Sequence, residues 1–160
     1  MNARTDPIPG GEDDLPFVDE HHVVVSAPPL VVWRSLLTHF TRPDLSGAQA
    51  LASVLAAEPR RASGTALDDG ATLPGFAVAR AVPGHLLRLT GRHRFSRYAW
   101  VFTLAVCSGG TTLTARTNAE FPGLHGSVYR GLVISSGAHR AFVAHMLRAV
   151  RRAAERETGG

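Results

Sequence analysis

The spacing of apolar residues changes from helical to alternating and back again along this chain of 160 residues. Ser26 as a helix cap, followed by prolines at positions 28 and 29 in the first turn, predicts a helix start, and apolar residues then recur at steps of three and four. Between residues 76 and 121 apolar and polar residues alternate, which is typical of half-buried antiparallel strands. From Gly126 to Glu155 the helical spacing returns along one face. Strands segregated from helices in this way predict an α+β fold.

Turn and breaker residues divide these zones into predicted elements. Residues 1–16 are polar and rich in Pro, Gly and acidic residues, so we expect a flexible tail before one domain at 17–156. We expect helices from Pro29 to before Pro43, at 44–57 and, as one continuous element, at 126–155. The predicted strands are 17–25, 64–67, 76–82, 85–95, 98–107 and 111–121.

The composition excludes several kinds of chemistry. All 17 basic residues are Arg, so a lysine Schiff base and a Walker-type phosphate lysine are impossible. The single Cys107 excludes an internal disulfide and a thiolate zinc cluster, and it fits a reducing cytoplasm. No metal-binding spacing of histidines and no glycine-rich phosphate loop after a strand occurs, so we expect no metal and no cofactor.

The sequence also bears on location. Residues 1–17 lack the apolar segment of a signal peptide. The longest apolar run, 98–107, is too short for a membrane span, which needs about 20 residues. We expect a cytoplasmic protein without a membrane span.

The formal net charge of +4 is unevenly distributed. No acidic residue lies between Asp69 and Glu120, a stretch that contains six of the arginines. By the alternation, most of these arginines, Arg116 among them, belong to the solvated face of a sheet. Asn118 and Glu120 belong to the same face as Arg116. No nucleic-acid motif accompanies the patch, so we expect no nucleic-acid partner, and a protein-binding role for the arginine face stays open.

Five segments resemble a known superfamily. They are SAPPLVVW (26–33), LPGFAV (73–78), GRHRFSRYAWVFTL (91–104), FPGLHGSVYRGLV (121–133) and GAHRAFVAHML (137–147). With the order of elements, they resemble the START-like, or SRPBCC, superfamily, and in particular its small bacterial members. The resemblance covers about residues 17–156 and implies a helix-grip fold, a curved antiparallel sheet wrapped around a long C-terminal helix with an internal apolar cavity. The superfamily holds lipids, sterols, polyketides and hormones there, without a shared catalytic set.

Three polar side chains are candidates for catalysis. His93 lies on the apolar face of its strand, and His139 lies on the apolar stripe of the last helix. Both point into one cavity if the fold is a helix grip, and Tyr129 adds a hydroxyl group. The alternative is that the two histidines are core residues with hydrogen-bond partners. The candidate ligand-binding residues are Trp33, Leu89, Tyr98, Trp100, Phe102, Leu113, Leu132, Ser135 and Phe142.

Three functions are compatible with these features. The first is a binder of a hydrophobic small molecule such as a lipid or polyketide. The second is a cofactor-free enzyme of the polyketide aromatase/cyclase type, in which His93, His139 and Tyr129 position a carbonyl group or transfer a proton. The third is an interaction protein that uses the arginine face. We expect a monomer or a homodimer.

Overall fold

The computed structural model describes residues 15–41, 69–73, 75–135 and 137–160. The predicted helix at 44–57 and the predicted strand at 64–67 lie outside the described residues. In chain order the elements are β1 (Phe17–Val25), α1 (Pro29–Thr41), β2 (Thr72–Leu73), β3 (Phe76–Val82), β4 (Leu86–His93), β5 (Ser96–Cys107), β6 (Gly110–Glu120), α2 (Gly123–Arg130), a π-helical turn (Gly131–Ser135) and α3 (Ala138–Thr158).

The described strands form one antiparallel sheet in the order β1-β6-β5-β4-β3-β2. The α+β prediction is confirmed, and the predicted strands agree with β1 and β3 and differ by one or two residues at the ends of β4, β5 and β6. The two-residue β2 was not predicted, because so short a strand has no alternation. Residues directly opposite one another lie on the same face of an antiparallel sheet. One such row crosses five strands through Asp19, Thr117, Trp100, Leu89 and Val78.

One end of the concave face is a closed core. Phe102 of β5 is fully buried and lies in register between Leu87 and Ala115. The helices α1 and α3 cover this end, and the Ser26 backbone N–H donates to Glu155 Oε1 at 3.1 Å, which joins the end of β1 to α3. The other buried apolar side chains of the core include Val25, Val32, Trp33, Leu36, Leu89, Leu113, Val143, Met146, Leu147, Val150 and Ala154.

The hydrogen bonds at the start of α1 and at the end of the predicted tail differ from the sequence-based expectation. Ser26 does not cap α1, because the Pro28 carbonyl accepts the first helical hydrogen bonds, from the N–H groups of Val31 and Val32. Leu15 and Pro16, which fall in the predicted tail, are bonded to β6. Asn118 Nδ2 donates to the Leu15 carbonyl at 2.8 Å, and the Ala119 N–H donates to the Pro16 carbonyl at 2.9 Å.

The prediction of one continuous C-terminal helix is wrong. The segment is divided into α2, the π-helical turn and α3. Gly137 separates the last two with a left-handed backbone, φ 79°, which favours glycine. A Cβ atom added at Gly137 would meet no atom within 4 Å, so the backbone conformation, rather than a close approach to the sheet, requires glycine. The interruption changes the helical phase, and Val128 and Leu132 of the predicted apolar stripe are 63% and 69% exposed.

The convex face carries the charged ladder expected from the alternation. Arg116 is exposed, and its Nε donates to Asn118 Oδ1 at 3.3 Å. Arg97 Nη1 lies 3.1 Å from Glu120 Oε1 in an exposed ion pair. The assignment of Arg116, Asn118 and Glu120 to the solvated face is therefore confirmed. No described helix is both long enough and apolar enough to cross a membrane.

Candidate functional site

The other end of the concave face is lined by aromatic and titratable side chains that are only partly buried. We call this region the open end and define it by His93, Tyr98, Trp100, Tyr129 and His139. All five have intermediate exposure, whereas the apolar residues at the closed end are almost inaccessible. Aromatic rings with a few polar groups between them are the usual lining of a small-molecule site.

His93, Tyr98 and Tyr129 form the first cluster of the open end. The ring of Tyr129 in α2 meets the His93 ring edge to face, with centroids 4.8 Å apart. The centroids of His93 and Tyr98 are 5.6 Å apart. A small residue brings α2 close to the sheet, because a Cβ atom at Gly126 would lie 2.6 Å from the backbone of Phe121 and 3.1 Å from that of Phe95. The helix therefore delivers Tyr129 to the end of β4.

Tyr98 is fixed by a hydrogen bond to the backbone. Its hydroxyl group donates to the Gly75 carbonyl at 2.6 Å. Gly91 lies opposite Tyr98 in β4, and a Cβ atom there would lie 2.7 Å from the Tyr98 ring and 2.2 Å from the Gly75 oxygen. Burial, with a smaller contribution from Tyr129, raises the pKa of Tyr98 to about 12, so the phenol stays protonated. Tyr98 thus supplies a rigid ring surface, and its hydroxyl hydrogen is already used in the hydrogen bond to the Gly75 carbonyl.

His139, Asp19, Thr117 and His21 form the second cluster. His139 Nε2 lies 3.1 Å from Thr117 Oγ1 and 3.4 Å from Asp19 Oδ1. The other carboxylate oxygen, Asp19 Oδ2, lies 3.3 Å from His21 Nε2. The contact to Oδ1 is an ion-pair distance without hydrogen-bond geometry, and that buried oxygen accepts no well-formed hydrogen bond from the described residues.

The surroundings of the two candidate histidines change their proton affinity. Burial lowers the pKa of His139, the neighbouring Asp19 raises it in part, and His21 lowers it further. Burial alone lowers the pKa of His93. Both imidazoles are therefore biased toward the neutral form, in which one ring nitrogen accepts a hydrogen bond or a proton.

Aromatic contacts join the two clusters into one band. The ring centroid of Phe76 lies 5.4 Å from that of Tyr98 and 5.1 Å from that of Trp100. The Trp100 ring lies 6.1 Å from His139 and 6.0 Å from Phe142. His93 and His139 thus lie at the two sides of one continuous apolar surface, formed by β3, β5 and α3.

The structure brings together six of the twelve predicted site residues. All three catalytic candidates, and the ligand-binding candidates Tyr98, Trp100 and Phe142, belong to or border the open end. Leu132 and Ser135 are exposed on the π-helical turn. The remaining four candidates are buried in the closed core, and they are Trp33, Leu89, Phe102 and Leu113.

Sequence reasoning missed Asp19, His21, Thr117 and Phe76. A signal was present for the first two, because the alternation that turns Val23 and Val25 inward also turns Asp19 and His21 inward. Thr117 likewise falls on the face of Ala115 and Ala119. In the part of the chain that the structure describes, no three His, Cys, Asp or Glu side chains converge in a geometry that could hold a metal ion.

Comparison with known proteins supports the architecture and says nothing of the site. No protein-family model and no curated protein matches the chain. Among solved structures, the di-domain ARO/CYC protein StfQ from the steffimycin biosynthetic pathway matches with a TM-score of 0.56 and 14% identity, over 91% of this chain and 53% of its own. The Aha1 dimer from Colwellia psychrerythraea matches with a TM-score of 0.54 and 14% identity, over 85% and 94% of the two chains.

A third neighbour is a polyketide cyclase-like protein from Corynebacterium glutamicum, with a TM-score of 0.50 and 14% identity, over 88% of this chain and 92% of its own. At these identities the likeness concerns the fold. The antiparallel sheet, with six strands among the described residues, and the C-terminal helix across its concave face agree with it. The chain therefore has a helix-grip α+β fold like that of these neighbours.

Proposed function

We propose that the protein binds a hydrophobic small molecule at the open end of the concave face. The observation that carries this proposal is the contrast between the two ends of that face. At the closed end Phe102, Leu87 and Leu113 are fully buried by their neighbours. At the open end the rings of Trp100 and Tyr98 keep part of their surface uncovered. A ligand that covers exposed aromatic surface in a concave site removes that surface from water, and this lowers the free energy of the complex.

The chemistry of the open end suits an aromatic or polycyclic ligand with few polar groups. The band from Tyr98 through Phe76 and Trp100 offers ring faces for stacking. The Tyr129 hydroxyl group, whose pKa burial raises, is available as a neutral donor, and His139 supplies an acceptor. The Nδ1 atom of His93 accepts the Phe95 N–H at 3.1 Å, so neutral His93 carries its hydrogen on Nε2 and offers a second donor. Two of the neighbours with this fold are named as ARO/CYC and polyketide cyclase-like proteins, which supports a ligand of the polyketide type.

The chain contains two tryptophans, and each one reports on a different region. Trp33 lies in the closed core and Trp100 lies at the open end. We expect the neutral aromatic contact quencher 1-bromonaphthalene to quench the fluorescence of Trp100, which lies at the open end, and to leave buried Trp33 unaffected. In a titration, Trp33→Phe should keep nearly all of the quenching and Trp100→Phe should lose it. Quenching that persists in Trp100→Phe, or no binding of any apolar probe, would refute the proposed site.

A second candidate function is a cofactor-free condensation catalyst, favoured by the contact of His139 with Asp19 and Thr117. A neutral imidazole held by a carboxylate is suited to act as a general base. His139 would take a proton from the carbon between two carbonyl groups, and that carbon would bond to a further carbonyl carbon. Tyr129 or His93 would hydrogen-bond the oxygen that becomes negative, and this oxygen would take the proton from His139 and become a hydroxyl group. His139 would then remove the second hydrogen of the same carbon, a carbon–carbon double bond would form, and the hydroxyl group would leave as water with that proton.

This second function predicts a specific pH profile with a poly-β-ketone thioester as substrate. The base must be neutral, and burial holds the pKa of His139 below its ordinary 6.5. The rate of water loss, followed by mass spectrometry, should therefore decline as the pH falls, with a midpoint below pH 6.5. His139→Gln should reduce the rate by about a hundredfold or more, the size of a lost general base. If the thioester is recovered unchanged, the catalytic function is refuted and only the binding function remains.

A further inference from the structure

The concave face and the convex face of the sheet differ in charge. Among the described residues, the arginines of the strands lie on the convex face, where Arg116 faces Arg88 across Val101 and Arg97 pairs with Glu120. On the concave face the described strands contribute one formally charged side chain, Asp19, whose carboxylate is 14% exposed. A ligand at the open end therefore meets a negative charge and no compensating arginine from the described strands.

The negative charge of Asp19 favours hydrogen on the nitrogen of His139 that faces it. Nε2 of His139 faces two oxygens, Thr117 Oγ1 at 3.1 Å and Asp19 Oδ1 at 3.4 Å. A carboxylate oxygen accepts hydrogen bonds only, so the favourable neutral tautomer has its hydrogen on Nε2. Nδ1 then carries the lone pair and is the nitrogen that can accept a hydrogen bond. Asp19 Oδ1 is itself inaccessible, so Asp19 acts on a ligand through His139 and through its charge.

We propose that the open end selects ligands that present a neutral hydrogen-bond donor, such as a hydroxyl group, to His139 and rejects ionised carboxylic acids, with Asp19 as the positioning residue. This inference rests on the proposed binding function and names the chemical class of its ligand. A hydroxyl group donates to the acceptor nitrogen of His139. A carboxylate has no hydrogen to donate, and it pays the repulsion of Asp19 in a site with little water to screen it. Among described residues, Asp19 and His21 are the titratable groups that act on His139.

The test compares three probes with the same ring system, 2-naphthol, 2-methoxynaphthalene and 2-naphthoate, at pH 7.5 by isothermal titration calorimetry. We expect 2-naphthol to bind about tenfold more tightly than 2-methoxynaphthalene, because only naphthol donates a hydrogen bond. We expect its advantage over 2-naphthoate to exceed about tenfold, because repulsion by a like charge is added to the lost donor. Equal affinities, or tighter binding of naphthoate, would overturn the inference.

Two variants that each remove one negative charge from β1 provide the control. Asp19→Asn changes the concave face, and Glu20→Gln changes the next residue, which is exposed and on the opposite face. The ratio of the naphthol and naphthoate affinities should fall about tenfold in Asp19→Asn and stay unchanged in Glu20→Gln. The ¹⁵N chemical shifts of His139 should show hydrogen on Nε2 in the wild type and in Glu20→Gln. If Asp19→Asn preserves both the ratio and the tautomer, Asp19 has no positioning role.

The outcomes separate this inference from the proposed function. If naphthol and methoxynaphthalene bind with equal affinity, the hydrophobic site is supported and the selection by His139 and Asp19 is refuted. Absence of binding by all three probes, together with intact fluorescence of the closed core, refutes the proposed function itself.

Discussion

Phe102→Ala is expected to destabilise the protein by about 3–5 kcal/mol, the usual cost of deleting a fully buried phenylalanine ring. Phe102 has no solvent exposure and lies in the middle of the sheet. Its ring meets Phe40 of α1 at a centroid distance of 5.5 Å and Trp100 at 6.0 Å. The deletion leaves a cavity between the sheet and α1 that the surrounding elements cannot fill without moving. Urea denaturation followed by circular dichroism measures the loss.

Phe142→Ala is the matched control, because it deletes the same ring from the open end. Phe142 is 55% exposed, so we expect a loss of no more than about 1 kcal/mol. The same variant should weaken binding of an apolar probe, since Phe142 borders Trp100 at 6.0 Å. Equal destabilisation by the two substitutions would contradict the division of the concave face into a closed and an open end.

Gly91→Ala is expected to cost about 2–4 kcal/mol, which combines the strain of overpacking with the loss of a part-buried hydrogen bond. The added Cβ atom would lie 2.2 Å from the Gly75 carbonyl oxygen and 2.7 Å from the Tyr98 ring. The oxygen belongs to the backbone, so relief requires the chain at Gly75 to move away from β4. Such a movement breaks the Tyr98–Gly75 hydrogen bond and shifts the ring surface of the open end. Denaturant midpoints and probe affinity should therefore fall together.

Gly131→Ala tests the same change where space is available. A Cβ atom at Gly131 would meet nothing within 4 Å, and the residue has right-handed helical dihedral angles, φ −57° and ψ −45°. We expect a neutral effect or a gain of up to about 1 kcal/mol, because alanine loses less backbone entropy than glycine in a helix. A loss at Gly131 as large as that at Gly91 would show that the close approach to Tyr98 and Gly75 is not the cause.

Local pattern was enough for the strands and not enough for the last helix. The alternation along β4, β5 and β6 arises because successive side chains point to opposite faces, so it predicts both the strand and its buried face. The apolar residues from Val128 to Val150 have helical spacing throughout, yet the helix is interrupted at Gly137. A glycine is compatible with a helix at a modest cost, and spacing alone does not reveal that its backbone is left-handed.

The sequence by itself determined the α+β class, the order of the main elements and the placement of His93, Tyr98 and Trp100 on the inner face, because these depend on short-range periodicity. Only the tertiary structure decided which inward side chains are packed and which line the open end. It also joined Asp19 of β1 to His139 of α3 and pressed Tyr98 against Gly75. These contacts link residues far apart in the chain, and their geometry depends on the strand register and on how closely the helices approach the sheet.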